Sequence, residues 1–573
     1  MARRNGEVAD LFQEYADLIT ITGGSAHRAR AYERAARSIA GHHDDVGTLG
    51  LKGLQQVPNV GRSIAEKIQE YLGGGRVEAV EELRAQIPAG VRQLTAIPTL
   101  GPKKAMALYE ELGVASVDEL VDAIKAGRLG DLKGFGEKTA DNILHGVSLM
   151  RQAAERVHLD VATGVADEIV AALRDVEGCE RCTYAGSLRR MRETIGDVDV
   201  LAVATKTRPL MDAFAALPQV REVIAKGETK SSVRTNAGLQ VDLRVVPPEA
   251  WGAALQYFTG SKAHNIRTRE IAVRAGRKLS EYGLFDAETD EPLVSKTEKE
   301  LYERLGLPWI PPTLREDRGE IEAALRGDLP TLVTEDDIRG DLHTHTNLTD
   351  GVSSLEPMLE AAAARGYEYY AVTDHAPNLV MQRMTDDKML AQREKVRALD
   401  GRYNGMRLLH GSELNIDPDG EVDWSADFLD GFDLCVASVH SHFTQPREEM
   451  TRRLVRACEN PHVDVIGHPT ARILGRRAGI DADLDAVFEA CARTGTALEI
   501  DAYPDRLDLS DDHVLRARRY GVKFAIDSDA HSTMHLPFMR YGVGTAQRGW
   551  LTPDDVINTW PLDRLRAFLR KRR

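Results

Sequence analysis

A surplus of positive charge is what this 573-residue sequence most visibly lacks: 74 Lys and Arg stand against 89 Asp and Glu, a formal net charge of -15. Taken whole, that balance argues against a nucleic-acid binder, but the deficit is uneven. About ten of the net negative charges fall after residue 330, whereas residues 181–278 carry about eight net positive ones, and neutralising phosphates needs only a local basic track. Cysteine is scarce as well. Cys179, Cys182, Cys435, Cys458 and Cys491 are too few and too scattered for a disulfide framework, and Cys179-x-x-Cys182 has no second pair to complete a zinc site. No apolar run reaches the length of a membrane span, and Arg3-Arg4 leads into acidic residues, not into a signal-peptide core. A soluble, cytoplasmic protein with no membrane partner is expected. The length exceeds what one core usually holds, so two to four domains are expected.

What is present is organised around Gly186-Ser-Leu-Arg-Arg-Met-Arg-Glu-Thr-Ile-Gly-Asp-Val-Asp199, which runs into the alternating segment Val198-Asp-Val-Leu-Ala-Val203. That alternation reads as a β-strand, so Asp197 and Asp199 share a face. Two close carboxylates repel unless cations sit between them, and hard divalent ions with oxygen ligands are the usual answer. A second strand-like run, Leu239-Gln-Val-Asp-Leu-Arg-Val-Val246, offers Asp242 as a third carboxylate. Upstream, Gly186, Ser187 and the arginines at 189, 190 and 192 supply amide, hydroxyl and guanidinium groups suited to phosphate oxygens. These are the parts of a two-metal phosphoryl or nucleotidyl transfer site.

The set resembles the signature of the family X DNA polymerases, and Tyr257-Phe-Thr-Gly-Ser261 followed by Asn265 and Arg269 extends the resemblance. It implies that Asp197, Asp199 and Asp242 bind Mg²⁺ or Mn²⁺ and catalyse nucleotide addition. It also implies that Gly186, Ser187 and Arg190 hold the triphosphate, that the turn with Tyr257, Phe258 and Gly260 lines the sugar, and that Asn265 and Arg269 face the minor groove. Lys262 replaces an acidic residue common in animal relatives, and a cation there suits an incoming nucleotide.

Three other segments share an apolar-x-x-apolar-Gly turn that opens a helix: Val57-Pro-Asn-Val-Gly61, Ile97-Pro-Thr-Leu-Gly101 and Leu132-Lys-Gly-Phe-Gly136. They resemble helix-hairpin-helix units, whose helix-start amides approach a DNA phosphate without reading bases. In the polymerase family the first unit belongs to a small domain that grips the 5′ side of a gap and removes a deoxyribose phosphate through a lysine. Lys67 occupies the matching position, although Arg28 and Ser63 stand where the family often has lysines.

The C-terminal part has another grammar. Asp341-Leu-His343-Thr-His345, Tyr369-Tyr-Ala-Val-Thr-Asp-His375, Leu408-Leu-His-Gly-Ser-Glu413, Cys435-Val-Ala-Ser-Val-His440, Val463-Asp-Val-Ile-Gly-His468 and Phe524-Ala-Ile-Asp-Ser-Asp529-Ala-His531 are each an apolar strand ending in His, Asp or Glu. Helical stretches lie between them, so the strand ends converge on one mouth. His343, His345, Asp350, His375, Glu413, His440, His468, Asp529 and His531 are enough for two or three ions such as Mn²⁺ or Zn²⁺. The pattern resembles the polymerase-and-histidinol-phosphatase (PHP) phosphoesterases, with every ligand position filled. Asp374, His410, His442, His462, Asp464, Asp527 and His513 are read as supporting or incidental, and Arg472, Arg476 and Arg477 as a basic rim suited to DNA.

The expected architecture is multidomain. A helical DNA-binding domain (1–90) and a fingers-like helix-hairpin-helix domain (91–150) precede an α/β nucleotidyltransferase palm (151–245) and a thumb-like domain (246–318). A linker (319–337) leads to a distorted (β/α)7-type PHP barrel (338–573). The resemblances imply a gap-filling DNA polymerase with a metal-dependent 3′–5′ exonuclease, and add deoxyribose-phosphate lyase or AP endonuclease activity as options. Gapped or primer-template DNA and deoxynucleoside triphosphates would be its partners, and a nucleoid-associated monomer its form. Three rival readings stand: a template-independent nucleotidyltransferase, a PHP phosphatase of small esters, and a non-enzymatic DNA-end scaffold.

Overall fold

Apolar spacing builds the helical N-terminal region. In the first helix, α1 (Asn5–Ile21), the stripe Val8, Leu11, Phe12, Tyr15 and Leu18 is buried as the periodicity requires. The structure, a computed structural model, describes residues 4–40, 42, 45–87, 89–95, 97, 100–129, 132, 135–136, 139–144, 146–147, 156–294, 296–379 and 384–570. Arg3, Pro98 and Thr99 of the second hairpin, Lys133, Gly134, Glu137 and Lys138 of the third, and the 150/151 boundary lie outside the described residues. One apolar cluster runs from Val8 to Val147, continuous across residue 90.

The three hairpin turns share a hydrogen-bond pattern. Val60 N–H donates to Val57 O (3.1 Å), Leu100 N–H to Ile97 O (3.0 Å) and Phe135 N–H to Leu132 O (3.1 Å). Gly61 and Gly101 then cap α2 (Arg62–Gly74) and α3 (Pro102–Leu112) with no side-chain cap, which leaves first-turn amides to an outside acceptor. A Cβ at Gly61, Gly101 or Gly136 would meet nothing within 4 Å, so this chain's own packing does not explain the glycines.

The palm packs α4 (Leu159–Arg174) on a five-stranded sheet. Its strands are β1 (Cys179–Tyr184), β2 (Asp197–Ala204), β3 (Val220–Lys226), β4 (Lys230–Thr235) and β5 (Gln240–Val245), in the order β1-β2-β5-β4-β3. Val198, Val200, Val241 and Leu243 face the core with α4, and the alternating positions emerge on the other face. The thumb begins with α5 (Trp251–Thr259) and α6 (Lys262–Arg274). Glu298 joins it to the palm, pairing with Arg189 (2.7 Å) and with the fully buried Arg315 (2.6 Å). Burial pushes the Glu298 carboxyl up, but the two guanidiniums bring it down to about 2. Breaking such a buried pair on one side costs about 3–5 kcal/mol.

Residues 319–337, expected as a linker, are packed. They hold α7 (Glu320–Arg326), whose Ile321, Ala323 and Ala324 are buried, and Val333, which lies in the barrel core. The charged composition concealed a short amphipathic helix of only two turns.

The barrel strands are β6 (Gly340–Asp341), β7 (Tyr369–Val372), β8 (Arg407–Asn415), β9 (Leu434–Ser438), β10 (Val465–Ile466), β11 (Ala497–Asp501) and β12 (Phe524–Asp527). They pair in sequence order, all parallel. A Thr344–Ala530 bridge nearly closes the ring, His345 N–H donating to Ala530 O (2.9 Å). Palm and barrel share a core, since Leu507 and Tyr541 of the barrel lie in the palm cluster. A C-terminal barrel helix, α8 (Met539–Arg548), faces the palm.

Candidate active sites

In the palm, β2 and β5 run parallel with Asp199 opposite Asp242 and Asp197 opposite Gln240. Neighbours in register share a face, so all three carboxylates emerge on the side away from α4. Burial and the charges of Asp197 and Asp242 raise the Asp199 carboxyl to about 6. Asp242 goes the other way: burial raises it, but hydrogen bonds from Gln240, Ser232 and Lys230 hold it below its usual value. Lys230 Nζ lies 3.2 Å from Asp242 Oδ2. Gly186 has φ +64°, and a Cβ there would sit 3.0 Å from Asp199 Oδ2. The Gly-Ser turn is thus laid directly against the carboxylates.

The nucleotide residues expected from the sequence gather on that same side. Arg244, one alternation beyond Asp242, stacks on Phe258 with its guanidinium 4.6 Å from the ring centroid. Tyr257 meets Phe258 edge-on and carries Arg269 at 5.5 Å. Asn265 is buried, donating to Tyr257 O (2.7 Å) and accepting from Gln256 (2.8 Å), so it fixes the turn. Lys262 and Arg269 are exposed on α6, and Ser187 is half-buried. Arg190 is more engaged than expected: Nε donates to Glu316 (3.0 Å) and Nη1 to Thr259 O (2.6 Å), packing flush on Gly260. Lys67 lies on α2 with its Nζ 3.5 Å from Ser63 Oγ, on the helix that Gly61 opens.

The barrel brings all nine predicted ligands together. Glu413 is the hub: Oε1 lies 3.0 Å from both His440 Nε2 and His468 Nε2, and Oε2 2.9 Å from His375 Nδ1. His345 Nε2 lies 3.1 Å from Asp529 Oδ1 and from His343 Nε2. Asp350 draws in His375 (3.3 Å) and His531 (3.4 Å). Among the described residues, three groups have ligand atoms within 4.8 Å of one another: His345/Asp350/His375/His531, His343/His345/Asp529 and His375/Glu413/His440. The palm triad is not one of them.

Electrostatics shows what this cluster needs. Burial pushes Glu413 and Asp350 up, yet the imidazoles around them hold both well below the carboxylate range. In return, and against burial, carboxylates raise His343 and His375 well above the usual value and His531 to about 9. Burial drives His468 down to about 3. The donor set of six imidazoles and three carboxylates suits divalent cations. His345 Nδ1 and His468 Nδ1 are buried with no hydrogen-bond partner among the described residues. Two ligands, His468 (φ +27°) and Asp529 (φ +47°), hold left-handed backbone, a strain common where geometry serves function.

Sequence reading missed the residues that aim these ligands. Glu499 Oε1 accepts from His343 Nδ1 (2.6 Å), and Asn415 Oδ1 from His440 Nδ1 (2.8 Å), which turns each Nε2 inward. Ala497-Leu-Glu-Ile-Asp501 carries the same apolar-strand grammar as the ligand strands, so a signal for Glu499 existed. Asp374 acts as support, accepting from Thr346, Thr349 and Gln392. Two arginines of the basic rim, Arg472 and Arg477, need correcting, while Arg476 is exposed. Arg472 is committed to Glu193 of the palm (2.7 Å) and to the Arg506 and Leu507 carbonyls, and Arg477 donates to Ala471 O beneath its stack on Phe443. These arginines tie loops and domains together, which their spacing after His468 could not reveal.

Fold and sites define the class: helix-hairpin-helix units, a palm and thumb of nucleotidyltransferase type, and a seven-stranded PHP-type barrel. Family comparisons agree, matching a helix-hairpin-helix domain at residues 3–77, a SAM-like helix-hairpin-helix tandem at 91–146, the DNA polymerase beta thumb at 254–316 and the PHP domain at 341–502. The DNA polymerase/3′-5′ exonuclease PolX of Bacillus subtilis is 36% identical over 568 residues, 99% of each chain. DNA polymerase lambda of Rattus norvegicus is 25% identical over 321 residues, 51% of this chain and 53% of that protein. A probable phosphatase of Thermoanaerobacter sp. is 26% identical over 245 residues, 41% of this chain and 95% of its own. The chain belongs to the bacterial family X DNA polymerases that carry a C-terminal PHP domain.

Proposed function

We propose that this protein fills short gaps in DNA during repair by two-metal nucleotidyl transfer and trims DNA 3′ ends with its barrel. The pairing of Asp199 with Asp242 in register, beside the Gly186–Ser187 turn, carries the polymerase half. Asp197, Asp199 and Asp242 would hold two Mg²⁺ or Mn²⁺, and the nine barrel ligands two or three Mn²⁺ or Zn²⁺. When bound, such ions supply the positive charge that activates an attacking oxygen and steadies a leaving one.

The chain's own groups do the rest. Asp242, kept ionised by Lys230 and Gln240, and Asp199 face the place where a primer hydroxyl loses its proton. Ser187 and the turn amides face triphosphate oxygens, Tyr257 and Phe258 wall the sugar, and exposed Lys262 and Arg269 meet nucleotide and template. In the barrel, Glu413 holds His440, His468 and His375 in one orientation around the scissile phosphate. The boundaries set out from the sequence then divide the labour: 1–90 and 91–150 grip duplex through Gly61, Gly101 and Gly136, and 151–318 adds nucleotides. Lys67 is the residue through which the first domain would act as a lyase. A monomer at the nucleoid, taking gapped DNA and deoxynucleoside triphosphates, fits these parts.

The barrel's similarity to a probable phosphatase favours a second reading, hydrolysis of small phosphate esters. One assay separates them. On a single-nucleotide gap in Mn²⁺, the primer should lengthen with deoxynucleotides and shorten without them; a primer that never shortens while a small ester is hydrolysed would overturn the exonuclease reading.

A further inference from the structure

Arg190 and Glu316, which set the nucleotide turn, both end on a side chain from the barrel. Arg548, the last residue of α8, is 2% exposed. Its Nη1 donates to the Arg190 carbonyl (2.8 Å) and to Glu316 Oε1 (2.8 Å), and its Nη2 to Asp511 Oδ2 (2.7 Å). Arg318 completes the ring, donating from Nη2 to the same Asp511 oxygen (2.9 Å) and to the Arg548 carbonyl (3.0 Å). Glu316 Oε1 also accepts from Arg190 Nε, and Arg190 Nη1 holds Thr259 O, the residue before Gly260. The chain Arg548–Glu316–Arg190–Thr259 therefore runs from the barrel to the Tyr257–Gly260 turn.

Charge gives this chain its direction. Burial raises the Glu316 carboxyl, but Arg548 and Arg190 together hold it below the usual carboxylate range. With Arg190, Arg548 and Arg318 set against Glu316 and Asp511, the ring keeps one net positive charge beside Gly186 and Ser187. Without Arg548, Glu316 would neutralise Arg190 alone, and the site facing a triphosphate would lose a charge. Arg189 and Arg315, its buried neighbours in sequence and in the thumb, do not replace it, because both are spent on Glu298.

We propose that Arg548 is a positioning residue for nucleotide binding, so that the PHP barrel forms part of the polymerase site. The inference rests on the polymerase reading above. It predicts that Arg548→Met raises KM for the incoming deoxynucleotide about tenfold, the loss expected for one charge-assisted buried contact. It also predicts that kcat stays within about twofold and that 3′ shortening in the absence of nucleotides is unchanged. Arg548→Lys, which keeps the charge at Glu316, should recover most of the KM. In a Glu316→Gln background, Arg548→Met should add little, because the pair act as a unit.

The full-length protein on a single-nucleotide gap serves for every arm, with thermal melting alongside. An unchanged KM in Arg548→Met overturns the inference, as does a parallel fall of both activities with the melting temperature, or a failure of Lys to rescue beyond Met. If the wild-type chain adds no nucleotide at all, the polymerase reading itself fails and takes this inference with it.

Discussion

The palm and the barrel gather their acidic and imidazole groups in opposite ways. The palm offers three carboxylates on two strands, with Asp197 exposed and Asp199 and Asp242 half-buried. The barrel sinks nine ligands at the ends of its strands, with His343, His345 and Glu413 1% exposed or less. An open, all-oxygen site suits ions that arrive and leave with each nucleotide, because hard cations exchange readily when water keeps part of the coordination sphere. A dry, imidazole-rich site keeps its ions and must have its charge balanced at all times. Without ions, the imidazoles around Glu413 and Asp350 hold those carboxyls well below their usual range.

The largest test of the contrast is whether each site can be lost alone. Asp199→Ala should lower nucleotide addition by about a thousandfold or more while leaving 3′ shortening, and His343→Ala should do the reverse, both read on a gapped duplex. Loss of both activities in either variant would show one coupled site. Chelation comes next. After brief EDTA treatment, Mg²⁺ should restore addition at once, whereas shortening should return only with Mn²⁺ or Zn²⁺, in step with metal content by mass spectrometry.

Proton linkage sharpens the comparison further. Asp199 rises from 3.8 unfolded to about 6 folded, so the ion-free native state binds the extra proton between those values and loses stability as pH rises through that window. Asp199→Asn removes this cost and should stabilise the ion-free protein by about 1–2 kcal/mol at pH 8. The gain should vanish below pH ~4, as followed by denaturant unfolding. His531 is raised from 6.5 to about 9, so its contribution is full below 6.5 and drains as pH climbs through 9. Mn²⁺ should abolish that alkaline loss in melting curves. The smallest effect belongs to the hairpins. Gly61→Ser and Gly101→Ser keep a competent cap in open space, so stability should move by less than about 0.5 kcal/mol while duplex affinity falls about threefold to tenfold in a filter-binding titration.

Both sites were legible because their residues are written close together or in a repeated grammar. Asp197 and Asp199 are two apart on one strand, and the barrel ligands each terminate an apolar run. Three hairpin turns announced themselves by repetition. What stayed hidden depends on partners far away in the chain. Glu298 and Arg189 are 109 residues apart, and Arg548 and Arg190 are 358 apart. No local pattern marks a lysine or arginine as spent on a distant carboxylate, so Arg472 looked like a DNA contact and the tie of Arg190 to Glu316 went unseen. The helix within residues 319–337 stayed hidden for a related reason: a seven-residue helix gives too few turns for a hydrophobic stripe to stand out from its charges.

One glycine sets how far apart the two chemistries can be. Gly544, on the helix that ends in Arg548, abuts Met191 so closely that an added Cβ would lie 2.6 Å from Met191 Cε and 3.0 Å from its Cβ. A methyl group at this point of the seam fits only if the flexible Met191 thioether swings aside. A larger side chain there would have to push the palm's Met191 and the barrel helix apart.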